Sequence, residues 1–113
     1  MIELTVLNYL KDALPDVTVT AEIRQGLGDT FVYLEKTGGR TRKDKLFSST
    51  LAVQSWAGSL YDAMTLNERV KEAMLNLIAV RNVSACSLNS DYNYTDISTK
   101  HPRYQAVFDV VHY

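Results

Sequence analysis

Residues 46–81 read LFSSTLAVQSWAGSLYDAMTLNERVKEAMLNLIAVR, and this stretch decides the fold. Its first half alternates. Phe47, Ser49, Leu51, Val53 and Ser55 share one face, and Leu46, Ser48, Thr50, Ala52, Gln54 and Trp56 share the other. A period of two over Leu46–Trp56 is that of a β-strand. Ala57-Gly58 ends it, and the period then changes. Leu60, Ala63, Met64, Val70, Ala73, Met74, Leu77 and Ile78 recur at helical spacing, so Ser59–Arg81 reads as an amphipathic helix. Two capping patterns fall inside it, Ser59-x-x-Asp62 and Thr65-x-x-Glu68. The second leaves room for a break near Thr65.

The flanks extend the pattern in both directions. Met1–Leu14 is a shorter helix, with Ile2, Val6, Tyr9 and Ala13 in line, and Pro15 stops it. Val17–Ile23 and Thr30–Lys36 are strands, separated by the loop Gln25-Gly26-Leu27-Gly28-Asp29. Thr37-Gly38-Gly39 is a turn signal. Val83–Asn89 alternates again, Asn89–Lys100 is polar and turn-rich, and Arg103–Tyr113 is a closing strand after Pro102. The order α-β-β-β-α-β-β gives a single α+β domain over residues 1–113. It predicts a mainly antiparallel sheet, neighbouring strands paired as hairpins, with two helices packed on it.

Composition is that of a globular chain, with 46% hydrophobic and 22% charged residues. No apolar run reaches the ~20 residues of a membrane span. Met1–Leu14 carries Glu3, Lys11 and Asp12 and does not read as a secretion signal. The single cysteine, Cys86, has no partner for an internal disulfide. A cytoplasmic site of synthesis is expected.

The search for chemistry finds little. His101 and His112 are the only histidines, without metal-ligand spacing, and are expected on the surface. Gly26-Leu27-Gly28 lacks the third glycine and the helix of a phosphate loop. Asn89, Asp91, Asn93 and Asp96 bring oxygens close in sequence but not at calcium-loop spacing. Cys86 is expected as a small buried thiol in mid-strand. Trp56, the one tryptophan, is expected to anchor the core. No catalytic residue, metal or cofactor is assigned.

Two segments point to contacts with partners. Lys36, Arg40, Arg42, Lys43 and Lys45 stand against one acid, Asp44, although the whole chain carries a net charge of -1. Such a tip is solvated, or reaches a protein partner, or touches nucleic acid; no aromatic residue interleaves it for stacking. Tyr92, Tyr94, Arg103 and Tyr104 cluster late in the chain, and tyrosine and arginine suit interfaces.

The chain resembles the tail-terminator, or tail-completion, proteins of long-tailed bacteriophages. The likeness rests on the element order, on Val53-Gln54-Ser55-Trp56-Ala57 running into Ser59-Leu60-Tyr61-Asp62-Ala63, on Val70-Lys71-Glu72-Ala73-Met74 in the long helix, on His101-Pro102-Arg103-Tyr104-Gln105-Ala106 opening the last strand, and on Leu14-Pro15 closing the first helix. It covers essentially the whole chain. It implies a non-enzymatic subunit, made in the host cytoplasm and carried in the virion tail, that forms a ring, commonly a hexamer, on the head-proximal end of the tail tube. The ring would stop tube growth and dock head-completion proteins. On this reading Lys36, Arg40, Arg42, Lys43 and Lys45 face tube subunits or DNA in the lumen, and Tyr92, Tyr94, Arg103 and Tyr104 face neighbouring subunits. The alternatives are another head-tail joining protein, a small nucleic-acid-binding module using the segment 36–45, and an enzyme whose site the sequence does not display.

Overall fold

The computed structural model describes residues 1–113. Its elements are α1 (Ile2–Ala13), β1 (Thr18–Thr20), β2 (Phe31–Thr41), β3 (Phe47–Trp56), α2 (Leu60–Leu75), β4 (Val83–Asn93) and β5 (Arg103–His112), with a 3-10 turn at Leu77–Ala79 before β4. They form one domain, a five-stranded, mostly antiparallel sheet with two helices on one face. The strand order is β1-β2-β3-β5-β4, so β5 inserts between β3 and β4. The connection from β3 through α2 to β4 therefore steps over one strand.

The core lies between the helices and one face of the sheet. Val6 and Leu10 of α1 and Leu66, Val70 and Met74 of α2 meet Val32 and Leu34 of β2, Leu51 and Val53 of β3, and Ala106, Phe108 and Val110 of β5. The alternation read from β3 and β5 holds: Leu51 pairs with Phe108 and Val53 with Ala106, all on the covered face. Burial of these side chains, at roughly 25 cal/mol per Å² of apolar surface, is the main term holding the domain together. The helices are tied to each other as well. Tyr9 Oη donates to the Ala73 carbonyl at 2.6 Å, in the last turn of α2, where that carbonyl also accepts from the Asn76 amide at 3.1 Å.

Several expectations are corrected. β1 and β2 pair in parallel, Thr18 opposite Phe31, not as a hairpin. β1 is only three residues, about 10 Å long, so the loop 21–30 can bring the chain back to start β2 in the same direction. Gly26 and Gly28 hold positive φ in that loop, +89° and +75°, where a side chain would be strained. Thr37-Gly38-Gly39 is not a turn. β2 continues to Thr41 across a bulge between Lys36 and Gly38, because β3 offers partners as far as Phe47. The turn comes at 42–46, with Asp44 and Lys45 at φ near +60°.

α2 begins at the first capping site. Ser59 Oγ accepts from the Asp62 amide at 3.1 Å. No break occurs at Thr65, whose hydroxyl donates back to the Tyr61 carbonyl. α2 ends at Leu75, earlier than expected, where Asn76 leaves helical geometry. The buried stripe is Ala63, Leu66, Asn67, Val70 and Met74, so Leu60, Met64 and Ile78 point to solvent rather than to the core. Finally, β4 runs to Asn93, four residues beyond its expected end.

Candidate functional site

The helices leave the second face of the sheet bare, and an aromatic row crosses one end of it. Phe31 stacks on Trp56, with centroids 5.0 Å apart. The Arg103 guanidinium lies over Trp56 at 4.7 Å and over Tyr94 at 4.7 Å. Tyr94 meets Tyr92 edge-on at 5.8 Å, and His101 meets Trp56 edge-on at 4.7 Å. Arg103 Nε also donates to the Tyr94 carbonyl at 2.6 Å. Register makes the row: Phe31, Trp56 and Arg103 are opposed on β2, β3 and β5. One step along, a hydrogen-bond relay crosses four residues. Trp56 Nε1 donates to Gln54, Gln54 donates to Gln105, and Gln105 donates to the Tyr92 hydroxyl.

Trp56 is thus not a core anchor. It belongs to the bare face and roofs Phe31. The expected interface set divides as well. Tyr92, Tyr94 and Arg103 come together, but Tyr104 faces the other way, into a hollow beside α2 lined by Tyr61, Met64 and Asn67. Alternation explains the split, since Arg103 and Tyr104 are adjacent in one strand. Tyr92 is a strand residue, not part of a loop. The sequence hid this because β4 is an edge strand with two bulges, so its alternation is broken.

The basic residues sit at the opposite end of the sheet. Lys36 is on the helix-side face of β2 and Arg40 on the bare face, while Arg42, Lys43 and Lys45 are in or beside the turn. None of the five forms an ion pair; the ion pairs of the chain involve Arg69 with Asp16 and Lys71 with Glu68 and Asp91. The Arg69 guanidinium draws the Asp16 carboxyl below its ordinary range.

A free sheet edge is the third feature. β4 pairs only with β5 along its eleven residues. Beside it, exposed Leu88 and Leu75 line a hollow between β4 and α2. Asp91 ties the edge to the helix, accepting from Asn67 Nδ2 and Lys71 Nζ, each at 2.6 Å. Asn67 is 2% exposed, and its Oδ1 has no partner.

The oxygens once grouped as a calcium possibility scatter. Asn89 donates to Asp109, Asp91 turns to α2, and Asn93 and Asp96 accept from Thr95 and Ser98 in local turns. No cluster of three metal-ligating side chains forms. His112 is buried, not on the surface: Nε2 lies 2.8 Å from Ser49 Oγ and Nδ1 3.1 Å from the Tyr113 main-chain oxygen. This serine–histidine pair has the contact of a nucleophile with its base. Ser49 is only 2% exposed, so the hydroxyl is sealed from any substrate. Cys86 packs half-buried against the core, and burial pushes its thiol up to about 11, far from a reactive thiolate.

Comparison with known proteins adds no relative: no family model matches the chain, and no curated protein matches it.

Proposed function

We propose that the chain is a structural, ring-forming subunit of the tail-completion type, capping the head-proximal end of a phage tail tube and docking head-completion proteins. The observation that carries this reading is the placement of two unlike surfaces on opposite edges of one sheet. β4, with Leu88, Leu75, Met64 and Tyr61 exposed on or beside it, is one edge. β1 is the other, followed in the chain by exposed Ile23. Different patches on the two sides of a subunit are what head-to-tail contacts require, and such contacts close into rings when the rotation fits. The resemblance in element order and in the Trp56 and Arg103-Tyr104 segments supports the same class. A geometric role also agrees with the sealed Ser49–His112 pair and the unreactive Cys86.

Sedimentation over a concentration series, with and without the cognate tail-tube protein, tests the reading. A closed species near six subunits, alone or on adding tube protein, is expected. A monomer at every concentration that ignores tube protein would overturn it. Binding to a head-connector protein alone would instead identify another neck component.

A further inference from the structure

The turn-side end of the sheet holds a groove at the opposite end from the aromatic row. Its volume is about 780 Å³, and it opens between the start of α1, the β2–β3 hairpin and the segment Arg81–Val83 that enters β4. The cationic side chains of Lys36, on the helix-side face, and Arg81 line it, against one acidic side chain, Glu3. Neither cation is ion-paired. Arg81 lies far from the hairpin in sequence and joins it only through the fold. The Lys36 stem passes close over Gly39, its Cε 3.1 Å from where a β-carbon there would stand. Thr37 and Thr41 line the same space. Phe47, 45% exposed, also lines it, held flat by stacking on buried His112 at 5.8 Å. Tyr113 adds a second exposed ring. The aromatic residues missing from the basic segment in sequence are thus supplied by β3 and the end of β5.

Unpaired cations beside exposed aromatic faces match one ligand chemistry, phosphates linked to unstacked bases. A duplex presents its phosphates but keeps its bases stacked inside, and a space of ~300–1,000 Å³ is the size of a small-ligand site. An acidic peptide would use the cations and leave the rings idle. We propose that this groove binds single-stranded nucleic acid, with Lys36 and Arg81 on the phosphates and Phe47 under a base. The site is complete within one subunit, so it stands whether or not rings form.

Fluorescence anisotropy tests it, using a short labelled deoxythymidine oligonucleotide, its duplex, a labelled polyglutamate and thymidine monophosphate as competitor. Each sample's sedimentation is recorded, so loss of binding and loss of assembly are read separately. The wild-type chain is expected to bind the single strand in preference to duplex and polyglutamate. The log–log salt slope should flatten by about 0.7 for each cation removed in Lys36→Gln and Arg81→Gln. Phe47→Leu, which keeps the bulk, should weaken the strand several-fold without changing that slope. Competition by the mononucleotide would place the site at one or two residues of the strand; competition only by longer strands would extend it along the hairpin. No binding at about 50 mM salt, equal binding of polyglutamate, or binding unmoved by all three variants, each in a chain whose thermal unfolding is unchanged, would overturn the proposal.

Discussion

Arg103 shows how much one side chain can organise. It lies over Trp56 and Tyr94, and its Nε holds the Tyr94 carbonyl, so it pins the start of the loop 94–102 to the sheet. Each cation–π contact contributes roughly 0.5–1 kcal/mol when partly exposed. Arg103→Ala should therefore cost about 1–2 kcal/mol in urea unfolding. Arg103→Lys should recover little of it, because an ammonium has no plane to stack on the rings. Full recovery by lysine would show that charge alone matters there. Cys86 gives a second test at this scale. Burial raises its thiol from 9.0 to about 11. A thiol that titrates higher in the fold than in the open chain stabilises the fold fully below pH 9, and that contribution is lost as pH climbs through about 11. Alkylation of the folded chain at pH 8 should accordingly be slow, and should quicken above pH 10 or on adding denaturant. Fast alkylation at pH 8 without unfolding would contradict that setting. The mid-strand place of Cys86 was legible from sequence, though the thiol is half-buried rather than buried, and the Arg103 contacts were not legible. Residues 56, 94 and 103 share no local spacing, and only the register of three strands brings them together.

The elements were legible where their two sides face different surroundings. β3 and β5 have a core face and a bare face, and their alternation survives in the sequence. α2 was readable as a helix from its spacing and from Ser59, but not its buried stripe, since Leu60, Met64 and Ile78 are exposed and Leu66 and Asn67 are buried. β4 was cut short because its far half, Asn89–Asn93, is polar on an exposed edge and bulged between Leu88 and Ser90. Nothing apolar was available there to mark a period. Gly38-Gly39 misled for a related reason: glycines that signal turns also sit at bulges, and only the reach of β3 decides between them. The two capping patterns make a clean comparison. Ser59→Ala removes the hydrogen bond to the Asp62 amide and should cost about 1 kcal/mol. Thr65→Ala, in mid-helix, should be neutral or gain a few tenths, about 0.5 kcal/mol at most, since alanine is the better helix former. Thermal unfolding of the two variants decides it. Equal losses would mean that the second site acts as a cap after all.

At the scale of the molecule, the sheet divides the work by position. The aromatic row lies at one end, the unpaired cations at the other, and the two free edges on the flanks, within a body of 44 × 27 × 24 Å. The mixed fold class was legible, because element order and periods determine it. The placement of surfaces was not, because strand order β1-β2-β3-β5-β4 leaves β1 and β4 outermost and no pattern in the chain announces that. The edge assignment makes the last prediction. Leu88 is opposite Phe108 in register yet 43% exposed, on the open side of β4. Lysine there keeps a stem to cover Phe108 while placing a charge at the edge, the device by which exposed strands resist pairing. Leu88→Lys should thus leave unfolding within about 0.5 kcal/mol of the parent. Under the proposed ring assembly, it should also abolish ring formation in sedimentation, including any species formed with tube protein. Lys36→Gln and Arg81→Gln, at the far end of the sheet, should assemble normally. If Leu88→Lys rings form as well as those of the parent, the contact surface is not the β4 edge. A loss of rings in the groove variants instead would move it to the hairpin end.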